Sequence, residues 1–338
     1  MWSFPYDEHY FVTQLTTLAI QIRDAVTQSL RNAGGDSLAR PIAVRGGDTI
    51  YQLDVPAEQT LQRYCTEWGA QVPFLLIAEG LETGSQIFPA EADSTQLVFT
   101  LIVDPVDGTR GLMYGKRSAW TLLGIAPPPH AGKVPRLSDI TVAVQSELPN
   151  ARAFLADILL AVRGQGVFGE TYNLFTGEKQ PFIPRPSQAD NLMGGFASIV
   201  KFFPGFKESA AHLEELLFAE LIGAPTTESP LIFDDQYISS GGQLYELAMG
   251  HDRFIADFRP LLPNRVTGQS HLCSHPYDVC TALIATEAGV IVTDETGQPL
   301  DAPLDVTTSV AWVGYANTQL ERRIAPILQK LLQDHSLP

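Results

Sequence analysis

The sequence predicts a layered α/β fold in two subdomains. Three observations carry this. Strand-like and helix-like segments alternate through the second half of the chain, the pattern of layered α/β architecture. The chain has 338 residues, more than a single core usually organises. A hydrophobic content of 45% fits a globular chain with a sizeable core. The division is placed near 146–150. It gives an N-terminal α+β subdomain over 1–147 and a C-terminal α/β subdomain over 148–338.

The elements follow in order. Phe11, Leu15, Leu18, Ile22, Ala25 and Val26 recur at helical spacing, so an amphipathic helix opens the chain. Pro56 starts a second helix, with Leu61, Tyr64, Cys65 and Trp68 on one side. Strands are expected over 74–78, 96–103, 119–126 and 139–146, with a proline-rich loop over 127–133. Further helices are expected near 208–221, 241–250, 277–288 and 319–333. No internal repeat, heptad run or low-complexity tract is present.

Composition excludes several function classes. The formal net charge is −16, which argues against nucleic-acid polymers and anionic membranes as partners. The three cysteines, Cys65, Cys273 and Cys280, are widely spread and odd in number, so no disulfide framework is expected. Buried thiols in a reducing compartment are the expectation. The first residues lack the basic and apolar regions of a signal peptide. The most apolar run, 153–162, contains Asp157 and is too short to span a bilayer. A cytoplasmic protein is therefore expected. His271, Cys273 and His275 lie close together, but no HExxH or paired CxxC accompanies them, and zinc is not favoured. His275 is read instead as a structural neighbour of Asp278.

The most informative stretch is Asp104-Pro105-Val106-Asp107-Gly108-Thr109, at the end of a strand-like run. Clustered hard oxygen ligands suit Mg²⁺. Gly108 and Thr109 offer backbone N–H groups to an anion, as glycine-rich turns do. Metal and phosphate in one turn point to phosphoryl transfer to water. The competing reading is an ordinary Asp-Gly turn whose carboxylates bond their own backbone.

The hexapeptide resembles the Asp-Pro-(Ile/Leu/Val)-Asp-Gly-Thr signature of the inositol monophosphatase superfamily. Leu75-Leu76-Ile77-Ala78-Glu79-Gly80 resembles that family's strand ending in a metal-binding glutamate, with Ala78 and Gly80 as departures. Asp54 sits where the family has an Asp before a helix. Arg163-Gly164-Gln165-Gly166, His275-Pro276-Tyr277-Asp278 and Glu287-Ala288-Gly289 resemble later family segments, Tyr277 replacing the usual Trp. The matches run in family order across almost the whole chain.

The resemblance implies an αβαβα sandwich of the sugar-phosphatase type and a lithium-sensitive phosphatase using two or three Mg²⁺ per site. It implies that Glu79, Asp104 and the Val106 carbonyl hold one Mg²⁺. Asp104, Asp107 and Asp278 hold a second. Thr109, assisted by Asp54 and with Glu79 in the catalytic set, polarises the water, and the N–H groups of Gly108 and Thr109 hold the phosphate. A homodimer is implied in the same way. Two of these residues keep plainer alternatives: Asp278 as an N-cap for a helix starting at Val279, and Asp54 as a cap for the Pro56 helix.

The substrate expected is a small phosphorylated polyol, sugar or nucleotide. Thr109-Arg110-Gly111-Leu112 resembles the Thr-Lys-Gly-Phe pattern of 3′(2′),5′-bisphosphate nucleotidases, and Arg110, Lys116 and Arg117 are candidates to clamp a second phosphate. Asp257 and Arg259 lie where the family recognises its substrate, and the 258–274 stretch is longer than in inositol monophosphatases. Bisphosphate nucleotidase or sugar bisphosphatase specificity is thus an alternative to inositol-phosphate specificity. An alternative of another class is a catalytically silent relative that binds metal or anions.

Overall fold

The computed structural model describes residues 6–32, 39–45, 48–130, 132–223, 230–262 and 272–334. The chain begins with α1 (Glu8–Asn32), β1 (Pro41–Arg45), β2 (Asp48–Tyr51) and α2 (Val55–Gly69). Then come β3 (Phe74–Ala78), β4 (Ser85–Phe88), β5 (Phe99–Asp107), α3 (Thr109–Met113) and β6 (Ala119–Ala126). A run of strands follows: β7 (Val142–Leu148), β8 (Leu155–Val162), β9 (Gly166–Asn173), β10 (Lys179–Phe182) and β11 (Gly195–Ile199). The last part holds α4 (Lys207–Ile222), β12 (Ile232–Phe233), α5 (Ser240–Ala248), β13 (Asp252–Asp257) and α6 (Ala282–Ala288). It closes with β14 (Ile291–Thr293), β15 (Trp312–Tyr315) and α7 (Thr318–Asp334).

Two large sheets organise these elements. An eight-stranded sheet has the order β10-β9-β8-β7-β6-β5-β3-β4, and a five-stranded sheet the order β12-β11-β13-β15-β14. On one face of the first sheet, α1 and α2 bury Phe11, Leu15, Leu61 and Trp68 against Phe74, Phe99 and Val144. On its other face, Ile77, Ile102 and Leu122 meet Leu244 and Leu247 of α5 and Ile284 of α6. The same core reaches Ile255 and Trp312 of the second sheet. The far face of that sheet buries Phe254 and Val313 under Leu213 of α4 and Ile324 and Leu328 of α7. The layers are thus helix, sheet, helix, sheet, helix, because both sheets are apolar on both faces. The expected αβαβα sandwich is present.

Strands β3 and β6 have the bounds read from the sequence, and both are almost wholly buried. Other bounds moved. The segment 94–96 is a short 3₁₀ turn closed by Asp93 and Gln96, so β5 begins only at Phe99. The expected strand over 139–146 begins at Val142, after a 3₁₀ turn over Leu137–Asp139. The expected division at 147/148 falls at the end of β7, inside the eight-stranded sheet, and β8, β9 and β10 continue that sheet. Glu287 accepts hydrogen bonds from the N–H groups of Gly164 (2.7 Å) and Gly166 (2.9 Å). Those motif residues therefore pin the β8–β9 hairpin to α6. No helix among the described residues is long and apolar enough to cross a membrane.

Candidate metal centre

Asp104 and Asp107 lie on the same strand, three positions apart. In regular extended chain they would face opposite ways. The register of β5 against β6 shifts between them: Asp104 pairs with Leu122 and Asp107 with Trp120. Three steps on β5 thus match two on β6. The extra residue is a β-bulge, which re-aims the side chain beyond it. Pro105 is tolerated there because a bulge leaves a backbone N–H unneeded. The Val106 N–H donates to Asp104 Oδ1 at 3.0 Å, and Thr121 donates to the Pro105 carbonyl at 3.0 Å. The bulge turns the two carboxylates to one focus.

Asp278 completes the group. One carboxylate oxygen from each of Asp104, Asp107 and Asp278 lies within 4.8 Å of the others. Asp278 occupies a turn before α6, where its Oδ2 accepts from the His275 N–H at 2.6 Å. The helix expected over 277–288 begins only at Ala282, with Thr281 at its N-cap. Asp278 is therefore no cap of that helix. His275 stacks its ring on Tyr277, 5.3 Å between centroids, beside the same turn. His271 lies outside the described residues, as does 263–271 of the extended segment.

The same cleft is lined by Asp54, Glu79, Val106, Gly108, Thr109, Arg110 and Arg259. Glu79 follows the last residue of β3, and β3 runs parallel to β5, so the two strand ends open side by side. Asp54 sits at the N-cap of α2 yet makes no side-chain cap bond. Its Oδ2 accepts from the Tyr51 N–H at 2.8 Å, and its Oδ1 accepts from the Thr109 hydroxyl at 2.9 Å. The Thr109 hydroxyl is also 2.9 Å from the Val106 carbonyl. Gly108 takes φ 100°, and a Cβ there would come 3.1 Å from Ser239. Left-handed backbone and close approach both favour glycine at this position.

Electrostatics oppose this arrangement. Asp104 is 1% exposed and Asp107 6%. Burial, followed by the neighbouring Glu79, Asp107 and Asp278, pushes Asp104 well above the ordinary carboxylate range. Burial and Asp278 push Asp107 up to about 7, although the Ser239 hydroxyl and the Gly241 N–H donate to it at 2.8 and 2.6 Å. A multivalent cation would relieve this repulsion. The donor set is all carboxylate and carbonyl oxygen, which fits Mg²⁺.

The specificity candidates divide. Arg110 and Arg259 line the cleft, as do Phe202 and Phe203. Arg110 lies 5.6 Å and Arg259 6.0 Å from the Phe203 ring centre, and Arg259 5.0 Å from that of Phe202. Asp257 is fully buried and anchors Arg259 through bonds of 2.6 to 3.0 Å. Lys116 and Arg117 do not line the cleft. Arg117 pairs with Asp235 and, at 3.5 Å, with Glu246.

No protein-family model matches the sequence, and no curated protein does so significantly. Solved structures match along almost all of it. A Leishmania major fructose-1,6-bisphosphatase in holo form superposes with a TM-score of 0.66 at 17% identity, covering 97% of this chain and 96% of that one. The extragenic suppressor protein SuhB of Bartonella henselae gives 0.62 at 15% identity, covering 95% and 99%. An IMPase of Thermotoga maritima gives 0.59 at 17% identity, covering 95% and 99%. The chain has the inositol monophosphatase fold. At these identities the likeness is one of fold.

Within the inositol monophosphatase fold, sequence reasoning missed Ser239 and Gly241, which hold Asp107, and Phe202 and Phe203. The Ser239-Ser240-Gly241-Gly242 run at the head of an apolar helix was the available signal, being a cap followed by small residues. Nothing in the local sequence marks the two phenylalanines.

The raised carboxylates fix a pH dependence. Their folded-state pKa lies above the unfolded value of 3.8, so the cation-free folded chain holds more protons. Unfolding free energy from Asp107 then falls as pH rises from about 4 through about 7, and Asp104 acts in the same direction. Mg²⁺ should therefore raise the melting temperature more at pH 8 than at pH 5. Thermal denaturation in EDTA and in Mg²⁺ at both pH values checks this. Equal increments would contradict it.

Proposed function

We propose that the protein is a Mg²⁺-dependent phosphatase of a small phosphorylated polyol, sugar or nucleotide. One observation carries the reading: three converging carboxylates and a Thr109–Asp54 pair share one cleft. The fold, shared with a fructose-1,6-bisphosphatase and an IMPase, supports it. A catalytically silent relative is disfavoured because Glu79, Asp104, Asp107, Thr109 and Asp278 are all retained.

In this reading Glu79, Asp104 and the Val106 carbonyl hold one Mg²⁺, and Asp104, Asp107 and Asp278 hold another. Bound Mg²⁺ would lower the pKa of the attacking water and neutralise charge on the leaving oxygen. The chain's own groups do the rest. Thr109 Oγ1 donates its proton toward Asp54 Oδ1, so its lone pair is turned to accept one from water. The Tyr51 N–H on the other Asp54 oxygen fixes that carboxylate in place. The N–H groups of Gly108 and Thr109 hold phosphate oxygens. Arg110 and Arg259 supply positive charge for a second anionic group, which favours a bisphosphate over a monophosphate. Arg259 is pre-positioned by Asp257, whereas Arg110 is held against the Tyr51 and Phe203 rings.

Asp104→Asn should cut Mg²⁺-dependent phosphate release by about a hundredfold or more, since one charge between two cations is lost. Phosphate release at fixed Mg²⁺ with inositol monophosphates, fructose 1,6-bisphosphate and adenosine 3′,5′-bisphosphate checks this. A folded variant with wild-type turnover would overturn the assignment.

Arg110→Ala should lower kcat/KM for a bisphosphate about ten- to a hundredfold, the worth of a charge-assisted bond of roughly 1.5–3 kcal/mol. The matching monophosphate should lose far less. Equal loss on both would assign Arg110 to shaping the loop.

A further inference from the structure

Gln145 lies in β7, 1% exposed, on the sheet face that meets α5 and α6. Its strand neighbours across the register are Leu122 and Leu159. A primary amide in such surroundings needs its hydrogen bonds made. Both ends of this one are satisfied. Nε2 donates to the Gly241 carbonyl at 2.8 Å, and Oε1 accepts from the Thr281 hydroxyl at 3.0 Å. The amide orientation is unambiguous because a backbone carbonyl can only accept.

The two partners lead to two different carboxylates. Gly241 is the residue whose N–H donates to Asp107 Oδ2 at 2.6 Å. It fits closely: a Cβ at 241 would come 2.5 Å from Leu122 and 2.9 Å from Asp107 Oδ2. Thr281 ends the turn that begins at His275 and carries Asp278. Thr281 stands at the N-cap of α6 but makes no side-chain cap bond, its hydroxyl being committed to Gln145. A residue type that usually caps helices is thus diverted to Gln145.

We propose that Gln145 is a positioning residue that locks the head of α5, which holds Asp107, to the turn that holds Asp278, so that both carboxylates meet one cation. The inference rests on the metal reading above and deepens it. Asp107 and Asp278 come from β5 and the α6 turn, 171 positions apart by number, yet their carboxylate oxygens lie within 4.8 Å. Gln145 links the two segments through a backbone carbonyl and a hydroxyl and does not itself line the cleft.

The test uses the whole protein and Mn²⁺ as the probe. Free Mn²⁺ is followed by electron paramagnetic resonance during titration of wild type, Gln145→Met, Thr281→Val and the double variant. Methionine keeps the length of glutamine and loses both bonds. Valine keeps the shape of threonine, and no cap bond is lost with the hydroxyl. Gln145→Met should weaken the affected Mn²⁺ site about ten- to a hundredfold, as loss of groups behind a ligand does. Thr281→Val should weaken it in the same direction. The double variant should bind no more weakly than Gln145→Met, because the two groups act through one chain of bonds. A purely structural role would lower the melting temperature in EDTA and leave Mn²⁺ affinity unchanged in both single variants, and that result would overturn the proposal. If Gln145→Met does not fold, wild-type affinity in Thr281→Val overturns it equally. Failure of wild type to bind Mn²⁺ would overturn the metal reading itself and, with it, this inference.

Discussion

Three carboxylates meet at the end of β5, two of them almost completely buried, and burial together with the neighbouring carboxylates raises the cost of ionising Asp104 and Asp107. The architecture around them is the means of holding them there. The bulge at Pro105 and Val106 turns Asp104 and Asp107 to one side. Ser239 and Gly241 at the head of α5 clamp Asp107 from behind. The His275 N–H clamps Asp278. None of these bonds neutralises a charge. They orient ligands, and a cation would supply the missing positive charge.

The rest of the cleft is built around that focus. The Thr109 hydroxyl lies within reach of both the Val106 carbonyl and Asp54, which places a proton acceptor beside the carboxylates. Arg259 approaches from the second sheet, with its countercharge Asp257 buried behind it. The cleft thus offers negative charge at its floor and guanidinium groups at its wall, a pattern that suits an anion bridged through cations.

Much of this was legible in the sequence, for identifiable reasons. Strands β3 and β6 are apolar runs buried on both faces, and their bounds follow from composition alone. The ends of β5 and β7 were displaced because short 3₁₀ turns, closed by side chains of Asp93, Gln96 and Asp139, take the residues before them. The bulge was not legible, since it is a relation between β5 and β6 rather than a property of either. Cap and site readings of Asp54 and Asp278 could be separated only by hydrogen-bond partners. Asp54 makes no cap bond and Asp278 lies upstream of the true N-cap. Lys116 and Arg117 share a sequence neighbourhood with Arg110 but sit beyond the α3 turn, outside the cleft. Gln145, Phe202 and Phe203 enter from elements far away in sequence, and no local pattern distinguishes them from core.

Two cations bridged by Asp104, as proposed, would balance the carboxylates gathered there. Crystals soaked with Mn²⁺ and inorganic phosphate test this directly through anomalous diffraction. The account predicts two anomalous peaks a few ångströms apart, both within coordination distance of Asp104, one also contacting Glu79 and the other Asp107 and Asp278. Absence of any peak at Asp104, or Mn²⁺ bound only at a site away from these residues, would contradict it.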